Sequence, residues 1–590
     1  MKKETHELGD FTTNSRTLTI SAIAIAIGAL SSVVALTLLT LIRFFTNLFF
    51  FQTADVVNRL PAQHHLGMWV VLVPMAGGLI IGLMARYGSE RIRGHGIPEA
   101  IEAILINGSR VEPKLAILKP LSSAISIGSG GPFGAEGPII MTGGAFGSMA
   151  AQFLHLTSVE RKTLLVAGAA GGMSATFGAP LASVLLAFEL LLFEWKPRSL
   201  IPVALSSAVA AILRHYIIGP APLFPTAPHV AFIGPEGFFL CAVAGLLAGM
   251  LAVGLTASVY FFEDAFLRLK FHWMWWPVIG GLAIGLGGLM FPEALGVGYE
   301  TIGQLLQGDV ASRVLIGVLV VKWAIWAIAL GSGTSGGVLA PLLMIGGALG
   351  GIETMLFPGF GLGFWPMLSM AATLGGTMRC PLTAIIFALE LTHEFNMMFP
   401  LMLAVFVAYA FTVLTMKRSI LTEKISRRGL HLSREYAIDP LETTFVNAVM
   451  RTNVIVLSPE TTIEDLAASL PHHDRAGQRL FPVVDGGRSL VGVIPYKRLL
   501  QLIAENGSGT VADHLNARPI TVSPQQPLRS VVNLMAKSGL TRLPVVDSNG
   551  SRNLVGMISI RDLLHARARN DTDEHLRERV LRLRFLRRAS

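Results

Sequence analysis

Apolar stretches without charged side chains recur from Thr17 to Met416. Several approach or exceed the roughly 20 residues that a helix needs to cross the hydrocarbon core of a bilayer. We predict membrane spans in five of them, at residues 17–42, 163–188, 237–262, 323–352 and 398–416. Other apolar segments, such as 380–389, are short and bordered by proline and glycine, which predicts tilted and broken helices.

Charged side chains are scarce in this region and return after Lys417. Over the whole chain 52% of residues are hydrophobic and 14% are charged, whereas soluble domains carry about 25% charged residues. This excludes a purely soluble protein and predicts a membrane domain followed by a soluble one. Cys241 and Cys380 both fall in apolar stretches, so we expect no disulfide framework and a cytosolic tail.

The net charge of +9 comes largely from lysine and arginine near the membrane ends and in the tail, including the run 565–588. Two interpretations are open: a positive-inside signal with a solvated helix, or a nucleic-acid surface. We favour the first and expect no nucleic-acid partner.

The membrane region contains two copies of one pattern. GPIIMTGGAFG at 137–147 matches APLLMIGGALG at 340–350, with Pro138 over Pro341 at an offset of 203 residues. APLASVLLAFELL from Ala179 matches CPLTAIIFALELT from Cys380 at an offset of 201. Duplicated halves are how many transporters build a site near the bilayer midplane from broken helices.

Three glycine-rich segments precede apolar helices: GHGIPE at 94–99, GSGGPFGAEGP at 128–138 and GSGTSGGVLAP at 331–341. In each, glycine exposes backbone amides and proline suits the first helical turn, where its missing N–H costs nothing. A helix that begins inside the membrane directs free amides and a positive dipole end at the cavity before it. Three such ends together predict an anion site.

With these motifs the whole chain resembles the CLC family of chloride channels and proton-coupled anion exchangers. The family motifs GSGIP, GREGP and GxFxP stand here as GHGIP at 94–98, GAEGP at 134–138 and GVLAP at 337–341. The resemblance implies an α-helical polytopic membrane fold with an inverted internal repeat and broken helices. It also implies a homodimer with a separate pathway for chloride, the transported ligand, in each subunit.

Carried over by position, Glu136 is the external gating glutamate, whose carboxylate occupies an anion position until it is protonated or displaced. An intramembrane carboxylate is functional by default, because it is costly in lipid. The amides of Val338 and Leu339 are expected at the central anion and those of 134–137 at the outer one. The implied anion-binding positions are His95, Gly96, Ile97, Gly134, Ala135, Gly137, Val338, Leu339 and Leu421. No metal site is expected.

Two positions depart from the family pattern at the central anion. His95 replaces the serine of GSGIP, and Leu421 in SILTEKI replaces the tyrosine. His95 is either an imidazole donor that becomes cationic and senses pH, or a ring turned away and hydrogen-bonded elsewhere. The site then lacks both hydroxyl groups.

A third departure concerns proton coupling. Exchangers of the family commonly carry a second acid after Glu189, but here Leu190 follows it. This favours a channel over a proton-coupled antiporter, although Glu194, four residues on, could replace the missing acid on the same helical face. Glu189 recurs as Glu390 in the second repeat, which indicates a structural role for both.

The soluble region also contains two similar copies, RLFPVVDGGRSLVGVIPYKRLL from Arg479 and RLPVVDSNGSRNLVGMISIRDLL from Arg542. They resemble a tandem CBS pair with βαββα units, an α/β domain. The resemblance implies an adenine-nucleotide site at Ser559 and Asp562, whereas the first copy has Pro495 and Arg498 at these positions. The alternative is a purely structural dimerisation module.

The predicted domains are a cytosolic N-terminal tail (1–16), the transmembrane anion-transport domain (17–423), a linker (424–440), the tandem CBS domain (441–567, with copies 441–504 and 511–567) and a basic tail (568–590). We expect a gated anion channel of the inner cell membrane, not an enzyme, with CBS regulation. A proton-coupled antiporter and a CBS-regulated metal-ion transporter are the alternatives. Chloride, nitrate and fluoride are not distinguished by the sequence.

Overall fold

The computed structural model describes residues 13, 15–105, 107–192, 194–229, 232–308, 310–427, 441, 444–467, 478–486, 488–505, 509–547 and 552–575. Most of the predicted N-terminal tail, linker and basic C-terminal tail lies outside these residues. The chain divides into two compact units, residues 1–434 and 435–590.

The N-terminal unit is helical. Its α-helices, in chain order, are α1 (Arg16–Thr46), α2 (Leu72–Tyr87), α3 (Ile97–Leu105), α4 (Leu115–Gly128), α5 (Glu136–Gln152), α6 (Ser158–Phe177), α7 (Pro180–Leu186), α8 (Pro197–Ile217), α9 (Gly234–Leu267), α10 (Trp276–Met290), α11 (Tyr299–Gln307), α12 (Ser312–Gly317), α13 (Trp323–Gly331), α14 (Leu339–Leu356), α15 (Phe364–Met378), α16 (Pro381–Thr392), α17 (Met398–Thr415) and α18 (Ile420–Arg427). Short π-helical segments lie at Asn47–Phe51, Ala187–Leu192 and Val318–Lys322.

Within the described residues, 8 helical segments are long and apolar enough to cross a membrane. Three of the five predicted windows fall in such segments, Arg16–Phe51, Gly234–Leu267 and Phe395–Arg427. The sequence prediction missed Gly67–Tyr87, Pro197–Ile217 and Trp273–Met290, which also qualify. The multi-pass membrane character is confirmed.

Two predicted spans are wrong as single helices. In the window 163–188, α6 ends at Gly178, whose φ of 68° is left-handed, and Pro180 begins α7. Glycine adopts this conformation at no steric cost, so it ends one helix and lets the next begin. In the window 323–352, the glycine-rich segment between α13 and α14 separates two helices. The expectation of broken helices is confirmed at both places.

Glycines at repeat-related positions allow α5 to pack closely against α6 and α14 to pack closely against α15. A Cβ atom on Gly143 or Gly147 of α5 would overlap a backbone carbonyl of α6. Their counterparts Gly346 and Gly350 on α14 face backbone carbonyls of α15 in the same way. Small residues allow this approach, and dispersion contacts stabilise helix pairs that gain no hydrophobic driving force in lipid. The repeat in the sequence is therefore a repeat of packing.

The C-terminal unit contains two similar hairpins. Strands β1 (Leu480–Val484) and β2 (Leu490–Pro495) pair antiparallel, as do β3 (Arg542–Val546) and β4 (Leu554–Ser559). Both hairpins have an irregularity at the same point, before the last residue of the first strand. Helices α19 (Tyr496–Ala504) and α21 (Ile560–His575) follow the hairpins, and α20 (Leu528–Ser538) precedes β3.

Candidate functional site

The three glycine-rich segments meet through their backbones. Gly134 and Gly337 exchange two hydrogen bonds, with N···O distances of 3.1 and 2.8 Å. The amide of Gly336 donates to the carbonyl of Gly94 at 3.4 Å. A Cβ atom on Gly137 would overlap the carbonyl of His95. The place where these three segments meet is here called the crossing. Glycine is required there, because any side chain would separate the segments.

Three helices begin at this crossing: α3 at Ile97, α5 at Glu136 and α14 at Leu339. The residues before α5 and α14, Ala135 and Val338, provide no side-chain cap. The first amides of those helices are thus available to a ligand, and their positive dipole ends add to its binding. The amide of Gly96 differs, since it donates to Glu99 Oε2 at 2.8 Å.

Glu136 lies at the centre of the crossing and is fully buried. The hydroxyl of Tyr299 donates to Glu136 Oε1 at 3.2 Å. Oε2 has no hydrogen-bond partner within the described part of the chain and lies against Gly134 and Gly337. The backbone amide of Ala340 in α14 faces the same carboxyl group. The carboxylate therefore occupies a position that an anion could take.

His95 and Leu421 are both buried. His95 Nδ1 has no hydrogen-bond partner among the residues described. The ring lines a cavity of about 540 Å³, here called the His95 cavity, together with Glu99 and Lys424. Lys424 Nζ of α18 pairs with Glu99 Oε1 at 2.6 Å. The structure thus brings the segment 94–99 and α18 together through Glu99 and Lys424.

A second cavity of about 550 Å³ lies on the Tyr299 side of Glu136 and is here called the Tyr299 cavity. Its charged lining residues are Arg43, Arg59, Glu293 and Glu300. Asn58 Nδ2 donates to Glu300 Oε1 at 3.3 Å within this cavity. Glu136 lines neither cavity. Ala135, directly before it, lines the Tyr299 cavity, and Met141, further along α5, lines the His95 cavity, so Glu136 lies between the two.

Two buried lysines flank the crossing, and the sequence analysis missed them. Lys119 Nζ donates to the carbonyls of Ile92 and Gly94, both at 2.8 Å. Lys322 Nζ donates to the carbonyl of Gly296 at 2.7 Å. Lysine is almost never fully buried without a partner. Their separation equals the repeat offset of 203 residues, the signal that could have found them.

Leu190 is fully buried in the π-helical segment Ala187–Leu192. The prediction that Glu194 shares its helical face is wrong, because the segment ends at Leu192. Glu194 instead pairs with Lys162 at 3.1 Å and accepts a hydrogen bond from Ser199 Oγ at 2.9 Å. Lys196 and Arg198 also pair with Glu194, at 3.7 and 3.5 Å.

In the C-terminal unit, Ser559 and Asp562 bind each other. The amide and hydroxyl of Ser559 donate to Asp562 Oδ2 at 2.9 and 2.5 Å. Arg451 Nε donates to the other oxygen, Oδ1, at 3.0 Å. Both carboxylate oxygens of Asp562 therefore accept hydrogen bonds at the N-terminus of α21. Elsewhere in the described residues, no group of three or more His, Cys, Asp or Glu is placed to hold a metal ion.

Comparison with known proteins agrees with this arrangement. The family model for the voltage gated chloride channel matches residues 77–413, and the CBS domain model matches 446–505 and 511–569. A ClcB-like protein of Ralstonia nicotianae is 30% identical over 368 residues, 60% of this chain and 85% of that protein. The voltage-gated ClC-type chloride channel ClcB of Salmonella typhimurium is 29% identical over 374 residues, 61% of this chain and 88% of the relative.

A crystal structure of a slow cyanobacterial Cl⁻/H⁺ antiporter has the same fold, with a TM-score of 0.61 and 21% identity. The similarity covers 71% of this chain and 99% of that one. The fold and the crossing of helix N-termini define a multi-pass transport protein with an inverted internal repeat, not an enzyme. The chain belongs to the voltage gated chloride channel family, and two CBS domains follow its membrane domain.

Proposed function

We propose that this protein moves chloride, or a similar small anion, through the crossing of α3, α5 and α14, and that Glu136 is the gate. One observation carries the proposal: a fully buried carboxylate lies among the N-terminal amides of two uncapped helices, between the His95 and Tyr299 cavities. An anion and the carboxylate compete for the same donors. Protonation of Glu136 removes the competitor.

Gated channel function is the form of transport that we propose. The relatives and structural neighbours include both a chloride channel and a Cl⁻/H⁺ antiporter, so their names do not choose between the two. Leu190 cannot hold a proton, and Glu194 is committed to its ion pairs. A continuous proton path needs titratable groups or water, because an isolated charge in lipid costs at least a few kcal/mol. Proton-coupled antiport remains the second candidate.

The proposed assembly is a homodimer in the inner membrane, with a pathway in each subunit and the C-terminal unit in the cytosol. We retain the sequence-based domain boundaries, with the transport domain at 17–423 and the CBS pair at 441–567, as part of this proposal. The described residues of 441–567 form the paired hairpins expected of a regulatory module. Their role is regulation of the membrane domain.

The test is anion efflux from liposomes that contain the purified protein, recorded over a range of external pH. Glu136→Ala is expected to raise flux and to remove most of its pH dependence. Glu353→Gln is the matched control, since Glu353 is also buried in the membrane domain but lies near the far end of α14. Glu136→Ala with unchanged flux and unchanged pH response, in protein that folds normally, would refute the gating role.

A further inference from the structure

Tyr299 lies between the Tyr299 cavity and the buried gate. It is the first residue of α11, and its side chain lines the cavity. Its hydroxyl donates to Glu136 Oε1 at 3.2 Å, the one side-chain hydrogen bond to that carboxylate in the described chain. Neither the resemblance nor the family match assigns a role to Tyr299. Its position between the Tyr299 cavity and Glu136 indicates one.

The phenol is held firmly in this position. Its ring packs edge to face against Phe177 and Phe224, with ring centroids 6.4 and 6.0 Å apart. Gly298, with a φ of 87°, makes the turn that begins α11. Lys322 donates to the carbonyls of Gly296 and Val297 and fixes the backbone segment before that turn. The hydroxyl is therefore preorganised toward Glu136.

We propose that Tyr299 is a positioning residue that latches the ionised Glu136 carboxylate in the anion site and so keeps the pathway closed. This inference rests on the proposed gating role of Glu136. A hydroxyl that donates to a carboxylate makes a stronger bond than one that donates to a neutral acid. Protonation of Glu136 weakens the latch at the same moment as it removes the competing charge. The anion then displaces the side chain.

Other ionisable side chains lie near this end of α5, and Tyr299→Phe changes none of them chemically. Glu300 and Lys322 lie on the neighbouring α11 and on the π-helical segment before α13. Within the described part of the chain, the remaining ionisable groups on elements packed against this end of α5 are Arg43, His95, Glu99, Glu102 and Lys119. A difference in pH response between wild type and Tyr299→Phe therefore reports on the pair of Tyr299 and Glu136.

The experiment measures chloride efflux from liposomes for wild type, Tyr299→Phe, Glu136→Gln and the double variant, between external pH 5 and 8. Phenylalanine keeps the ring packing and removes only the donor. Tyr299→Phe is expected to raise flux at pH 8 by about tenfold, the factor for one hydrogen bond to a charged group. The midpoint of acid activation should move to higher pH, because the lost bond favoured the ionised carboxylate. In the Glu136→Gln background the same change should have no further effect.

The controls separate the latch from the gate. Tyr216→Phe, at an exposed tyrosine, should behave as wild type. An equal rise in flux from Tyr299→Phe in both backgrounds would show that Tyr299 only narrows the path, and would overturn the latch. Wild-type flux in Tyr299→Phe, together with raised flux in Glu136→Gln, would also overturn it while leaving the gate intact. Wild-type behaviour in Glu136→Gln would instead overturn the proposed function itself.

Discussion

Glu189 and Glu390 each cap the N-terminus of the helix that leads to the other. Glu189 accepts hydrogen bonds from the amides of Leu382 and Thr383 in the first turn of α16, at 3.1 and 2.8 Å. Glu390, on α16, accepts from the equivalent amides of α7 at 2.9 and 2.8 Å. A carboxylate at a helix N-terminus satisfies free amides and complements the dipole. This geometry explains the structural role that the repeat predicted for both.

Removal of either carboxylate is expected to destabilise the membrane domain. Glu189→Gln and Glu390→Gln each lose one of two amide contacts and the negative charge, which should cost about 1–2 kcal/mol. Thermal unfolding in detergent measures the effect, with Glu293→Gln as an exposed control. Glu136-dependent gating should persist in the folded protein. Unchanged stability combined with altered flux would mean that these acids belong to the transport path instead.

His95 is expected to act as a neutral N–H donor. The sequence left open a pH-sensing cation, but Lys119 and Lys424 both lie close to the buried ring. The nearby Glu99 carboxylate is already bonded to Lys424 and to the amide of Gly96. A further positive charge beside two lysines is unfavourable.

We therefore predict that His95→Ala weakens chloride binding by roughly fivefold, the effect of one ordinary hydrogen bond, at pH 5 and pH 8 alike. Titration calorimetry on the detergent-solubilised protein gives the affinity at each pH, and His95→Ser tests whether the hydroxyl of the related motif substitutes. A loss confined to pH 5 would establish the ring as a cation. Full affinity in His95→Ala at both pH values would mean that the ring does not contact the anion.

The crossing of the glycine-rich segments could be predicted from sequence because it depends on local chemistry. Glycine, proline and a lone acid recur in short motifs at repeat-related positions, and such motifs determine where a helix begins. The windows 163–188 and 323–352 were assigned as spans because uncharged residues continue across each break, although the glycine-rich segment 331–341 already marked a helix start inside the second window. Tyr299 and Lys322 were missed because they reach the site through tertiary packing, far along the chain from Glu136. The prediction that Glu194 shares a helical face with Leu190 was wrong because Glu194 lies outside the helical segment that contains Leu190.

The C-terminal unit should not require nucleotide for its stability. Asp562 is bonded on both oxygens, by Ser559 and by Arg451. We expect millimolar AMP or ATP to leave the melting temperature of the full-length protein unchanged. Asp562→Asn should destabilise the unit by about 1 kcal/mol, the usual cost of a lost N-terminal cap. A nucleotide-dependent rise in melting temperature that disappears in Asp562→Asn would instead identify a binding site.

Transport of chloride by this protein should drive no uphill proton movement. Sealed liposomes with a chloride gradient and a pH dye inside test this directly, with a protonophore added at the end to show that the vesicles are tight. Glu136 can exchange protons with one side, so acid can open the gate without net proton transport. On the other side, Leu190 is buried and apolar.

The next acid after Leu190 along the chain, Glu194, forms ion pairs with Lys162 and Arg198 that hold it in its charged form. A carboxylate so held cannot cycle between protonated and ionised states at little cost. Leu190→Glu alone should therefore not create coupling, because Glu194 is held in its ion pairs and cannot complete the path to Glu136. Stoichiometric proton pumping by the wild-type protein would reverse the assignment to antiport. In that case Glu194→Gln is the decisive variant, since loss of pumping with retained chloride flux would identify Glu194 as the internal acid.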